Sequence, residues 1–245
     1  MKRLMLCFML LLIATSVLAD EMPKDETERL EFIKKKLEAN PKDATSIEYL
    51  TNNPQFLNDH KDILKKNPDI LVDNPKLAKV WYTKSSNVGV CGECDNKFFK
   101  KPGNLHKHPD AAIKYLRDIV GRPIEFGFVE GLFYDSENGF LTLGTSSVNL
   151  GGLSSNVIGV LVENEKFQLK FSDDSKVQVD DNVAITSVKE NPDGSIELES
   201  PELPPGLRIE LNGGQITVAE DGTITASEGV SIFWRENDEV TAEEN

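Results

Sequence analysis

The chain has 245 residues, with 41 acidic and 27 basic side chains and a formal net charge of −14. A surface of that sign repels nucleic acid and anionic membranes, and it favours solubility and cations. The length allows one large or two small domains, and three cysteines are too few for a disulfide-stapled scaffold, so the fold must rest on apolar burial with one local clip at most.

The N-terminus reads MKRLMLCFMLLLIATSVLA. Lys2 and Arg3 supply a basic start, Leu4 to Ile13 an apolar stretch, and Val17-Leu18-Ala19 the small residues of a cleavage site, which predicts a secretory signal over residues 1–19. The apolar run is short of the ~20 residues needed to span a bilayer. Cleavage removes Cys7 and leaves Cys91 and Cys94. No later stretch is long and apolar enough to cross a membrane. The chain is therefore expected to be secreted, periplasmic or at the cell surface, and soluble or held there by partners.

Residues 25–121 are predicted to be a small irregular helical domain. Asp25 and Glu28 stand at capping-box spacing, and Leu30, Ile33 and Leu37 follow on one face. Asn-Pro occurs at 40–41, 53–54, 67–68 and 74–75. Asn is a good N-cap and Pro a good first helical residue, so each pair is expected to end one helix and start the next. Phe56, His60, Ile63 and Leu64 make one stripe, with His60 expected to pack there or at its edge. Leu77, Val80 and Trp81 make another. Pro109 opens a last helix with Ala112, Ile113, Leu116, Ile119 and Val120 expected inside, closed by Gly121 and Pro123.

Between these helices, residues 83–108 show little periodicity and read as a loop, of a length uncommon in compact domains unless functional or clipped. The loop holds CGECDNKFFKKPGNLHKHP. Cys91 and Cys94 have metal-knuckle spacing, and His106 and His108 complete a candidate tetrahedral zinc set. The stretch resembles a Cys2His2 zinc finger in its Cys-x2-Cys, Phe98, Leu105 and following histidines. It departs from that family in its His-x-His spacing and in Pro102 and Gly103, which would break the finger's helix. What carries over is therefore structural zinc, not the finger fold. Cys-Gly-Glu-Cys also resembles the active-site motif of thioredoxin-like proteins, which implies a redox dithiol. A plain Cys91–Cys94 disulfide is the third reading. The His-x-His pair is similar to that of lysostaphin-type peptidases, but Leu64 stands where their upstream Asp would follow His60.

Residues 123–234 change period to two, as in Phe167-x-Leu169-x-Phe171, Val177-x-Val179, Val183-x-Ile185, Ile196-x-Leu198, Leu207-x-Ile209-x-Leu211, Ile216-x-Val218 and Val230-x-Ile232. Asn138-Gly139, Asn191-Pro192-Asp193-Gly194, Asn212-Gly213-Gly214 and Asp221-Gly222 separate them. This predicts an all-β domain, a β-solenoid in preference to a sandwich or barrel. In texture the segment resembles β-solenoid segments of uncharacterised exported microbial proteins. Asp173-Asp174 and Asp180-Asp181 are read as solvated turn charges, with calcium as the alternative. Trp81, Tyr82, Phe133 and Tyr134 are read as core, with a glycan platform as the alternative. Residues 235–245 are read as an acidic disordered tail.

The whole is an α+β chain, expected to be a non-enzymatic structural or adhesive protein whose clipped helical domain caps a solenoid and meets an envelope protein or glycan. The alternative is an envelope-acting enzyme, a zinc hydrolase or a thiol oxidoreductase.

Overall fold

Asp25 opens the first helix by accepting hydrogen bonds from the backbone N–H groups of Thr27 and Glu28. The computed structural model describes residues 21–121 and 124–234. The expected signal segment and acidic tail lie outside the described residues. Among the described residues nine helices come first: α1 (Glu26–Ala39), α2 (Ala44–Asn52), α3 (Pro54–Asp59), α4 (Asp62–Lys66), α5 (Ile70–Asp73), α6 (Pro75–Tyr82), α7 (Gly92–Phe99), α8 (Asn104–Lys107) and α9 (Pro109–Val120). They are short because the sequence interrupts them.

The Asn-Pro pairs act differently from expectation. Asn53, Asn67 and Asn74 each turn the side-chain amide back to the carbonyl four residues earlier, on Tyr49, Ile63 and Ile70, at 2.9, 3.0 and 2.8 Å. Each amide thus satisfies a terminal carbonyl of the helix it ends, not an N–H of the next one. At Asn53-Pro54 and Asn74-Pro75 the proline still starts the following helix. At Pro41 and Pro68 a turn intervenes, and Asp43 and Asp69 take the N-cap position.

The last helix keeps Ala112 and Leu116 of its expected face inside and Ile113 and Val120 packed against the core, but it adds Tyr115 and leaves out Ile119. Ala111, Ala112, Tyr115 and Leu116 are buried, whereas Ile119 is 47 % exposed. Tyr115 wins the inward position because its ring stacks on Phe99, with centroids 4.9 Å apart. Gly121 closes the helix at φ 72, in the left-handed region.

Fourteen strands follow among the described residues: β1 (Ile124–Phe126), β2 (Leu132–Asp135), β3 (Phe140–Leu143), β4 (Ser146–Asn149), β5 (Val157–Glu163), β6 (Lys166–Phe171), β7 (Lys176–Val179), β8 (Ala184–Ile185), β9 (Ser187–Glu190), β10 (Ile196–Glu199), β11 (Leu207–Glu210), β12 (Gln215–Val218), β13 (Ile224–Ala226) and β14 (Ser231–Trp234). They form three sheets, in the orders β1-β5-β6-β7-β12-β13, β2-β3-β4-β8 and β14-β11-β10-β9. The α+β class and the order of helices before strands are as expected.

The solenoid is not. Neither stacked solenoid rungs nor a closed barrel occurs among the described residues. Parallel ladders join only β1 to β5, β4 to β8 and β7 to β12. The other eight are antiparallel. The reason lies in the turns. Gly and Asn positions read as solenoid corners are reversals: Gly139, at φ 76, donates to the Asp135 carbonyl at 2.8 Å and brings β3 back along β2.

Buried side chains of both halves form one continuous cluster, from Ile33 to Val218. Helix α9 lies against β1 and α8 against β2. Both strands stand at the edge of their sheets.

Candidate functional site

Residues 83–108 are not a structureless loop. A 3-10 turn over Ser85–Asn87 precedes α7 and α8. Cys91, Cys94, Asp95, Phe98 and Phe99 are all buried, at the spacing i, i+3, i+4, i+7, i+8 of a helical inner face. That signal is present in the sequence once cysteine is counted as apolar.

Cys91 is the N-cap residue of α7, and its Sγ accepts the N–H of Cys94 at 3.3 Å. The two sulfurs are joined as a disulfide. Cys91 is 5 % exposed and Cys94 0 %, and the Cys94 Sγ lies 3.4 Å from the Leu64 carbonyl oxygen in α4. The bridge therefore sits inside the helical core.

Beside it, Asp95 is 2 % exposed. One carboxylate oxygen accepts the Tyr82 hydroxyl at 2.8 Å and the other the Gly89 N–H at 2.7 Å. Burial pushes the Asp95 carboxyl above the usual range, against the effect of these hydrogen bonds. Burial first, and the nearby Asp95 second, push the Tyr82 phenol far above its ordinary value. Asn87 donates to the Trp81 carbonyl at 2.8 Å. Together these bonds hold the connection between α6 and α7 by its polar groups.

The two histidines take separate surroundings. His108 packs against Tyr82 and Phe98, with ring centroids at 5.7 and 5.5 Å. Burial lowers its pKa, and Lys107 and Lys79 add to the effect. His106 packs edge-on to Phe128 at 5.4 Å, and its Nδ1 is buried without a hydrogen-bond partner. Gly103, at φ 81, makes room for this ring, since a Cβ there would stand 3.2 Å from His106 Cε1.

Cys91, Cys94, His106 and His108 are thus not gathered around one point. Among the described residues, no three His, Cys, Asp or Glu side chains stand together as a metal-holding group. Sulfurs bonded to each other also offer no thiolate to zinc.

Other candidates resolve simply. His60 closes α3, packs on Phe56 with centroids at 4.4 Å, and faces Glu26 at 3.3 Å. Trp81, Tyr82 and Tyr134 are buried, which removes them from any glycan platform. Asp174 and Asp180 pair with Lys170 and Lys166 at 2.9 and 2.7 Å. Asp173 accepts backbone N–H groups of Ser175 and Gly213. The turn Asn191 to Ser195 carries Asp193, whose carboxyl is held well below the usual range by Ser195 and then by Arg208.

A concavity of about 390 Å³ opens where the helices meet the turn after β1. Phe98, His108, Val72, Pro75 and Phe128 supply its apolar and aromatic lining. Lys79, Lys107 and Asn104 supply its polar groups. Phe128 is 75 % exposed. The sequence singled out His108 for its nitrogen, and here the residue lines the concavity. Phe128 was missed altogether, and nothing in its local sequence marks it.

No protein-family model matches the chain, and no curated protein or solved structure matches it either.

Proposed function

We propose that this chain is an exported, non-enzymatic binding protein of the cell envelope or extracellular space. Its helical part, clipped at Cys91–Cys94, covers the first strands of the β part and shares a binding face with it. The observation that carries the reading is the concavity between α6, α7, α8 and Phe128. It has the size and the mixed apolar and polar lining of ligand sites, and it lies at a junction between two structural units, where such sites concentrate. Burial of both sulfurs supports a clip in preference to a reacting group. A secretory signal fits a compartment in which a disulfide persists.

One observation favours a second reading. Cys91 caps α7, and a helix N-terminus stabilises a thiolate, so a thiol oxidoreductase is the competing function. The two separate in one assay. Purified protein without its first 19 residues is given a reduced thiol donor and a chromogenic disulfide. The binding reading predicts no turnover above the uncatalysed rate. Sustained turnover that vanishes in Cys91→Ala establishes the oxidoreductase.

A further inference from the structure

We propose that the concavity lined by Phe128 binds a small organic anion, a carboxylate carried on a flat apolar body. The inference deepens the binding-protein reading and rests on it.

Three observations converge. The first is charge. The ionisable groups lining the concavity are Lys79, Lys107 and His108, with no carboxylate among them, in a chain with 41 acidic and 27 basic residues. Among the described residues, neither lysine pairs with an acid. Lys107 reaches only the Asn104 side-chain oxygen, at 3.4 Å. A pocket whose charges are all of one sign, on a surface of the other sign, selects ligands by complementarity.

The second is shape. Phe98 and Phe128 offer aromatic rings, and Val72 and Pro75 add apolar surface. The volume of about 390 Å³ falls in the range of small-molecule pockets, roughly 300–1,000 Å³. The third is exposure. Phe128 is 75 % exposed, while Phe98, which lines the same concavity, is 3 % exposed. A flat ligand laid along Phe128 would remove that ring from water, with its carboxylate at the two lysines.

The test is a titration of the folded, disulfide-intact protein with naphthalene-2-carboxylate, followed by its own fluorescence, and with the neutral naphthalene-2-carboxamide. Saturable binding of one carboxylate per chain is expected, with the carboxamide about tenfold weaker. The double variant K79E/K107E should weaken the carboxylate by about tenfold or more and leave the carboxamide unchanged. Phe128→Ala should weaken both. These three side chains are exposed, so circular dichroism should show the variants folded. No saturation at millimolar carboxylate, equal affinity for the two probes, or an unchanged affinity in K79E/K107E overturns the proposal. Such a failure with an inert disulfide removes this ligand class alone. Disulfide turnover in the assay above would remove the binding-protein reading instead.

Discussion

At the scale of single residues, the strongest local commitment is Asp95. A buried carboxylate is costly unless its oxygens are satisfied, and here two donors from different parts of the connection converge on it. Asp95→Ala would leave the Tyr82 hydroxyl and the Gly89 N–H without an acceptor, and should cost about 3 kcal/mol in urea unfolding. Asp95→Asn keeps one acceptor and removes the buried charge, so it should cost less than half as much. Equal losses in the two variants would mean that packing, not these hydrogen bonds, holds the connection. His108 yields a pH prediction. Burial holds its pKa below the ordinary value of 6.5, and Lys107 and Lys79 lower it further. The unfolded chain therefore takes up a proton first. Its contribution to stability is complete above pH 6.5 and is lost as pH falls toward the folded value. The fall in urea midpoint from pH 7 to pH 5 should be shallower in His108→Phe than in the parent, and an identical fall would contradict the burial argument.

At the scale of elements, the period-two strands and the breaks between helices were legible, because alternation and proline act locally. The last turn of α4 was legible as an ending but not as a mechanism. The amide of Asn67 returns to Ile63, and no propensity distinguishes that from capping forward. Asn67→Ala should accordingly cost about 1 kcal/mol, and no loss in thermal unfolding would refute the C-terminal capping role. Helix α7 was hidden by chemistry. Reading Cys91 and Cys94 as ligands removed two inward positions from a five-residue stripe, and the rest looked aperiodic. The disulfide spans a sequence separation of 3. Loop-closure entropy for so short a ring amounts to about 2 kcal/mol. The double variant Cys91→Ala, Cys94→Ala should lose about that much and remain folded. Loss of the fold would show that the bridge is indispensable to the core.

At the scale of the whole molecule, what the sequence withheld was which strands pair. The same Gly and Asn positions serve a solenoid corner and a hairpin, and only long-range packing decides between them. The meeting of helices and sheets was equally hidden, since Phe128 becomes part of a site only by packing on His106 and lining the same concavity as Phe98. Because Tyr115 on α9 meets Tyr134 on β2 within one buried cluster, the two parts should unfold together. Hydrogen exchange read by mass spectrometry across a urea series should give one midpoint for peptides from both parts. Two midpoints would make them independent domains. The binding reading rests on Cys91–Cys94 being a closed clip inside the helical core, beside the concavity and not part of its lining. It is tested most directly by intact mass and metal content of the native protein, alkylated before any reduction. The mass of the oxidised chain is expected, with no alkyl adduct in the native or the urea-unfolded protein and no change with chelator. One zinc per chain, with two thiols alkylated only after chelation, would contradict it and restore Cys91, Cys94, His106 and His108 as a metal centre.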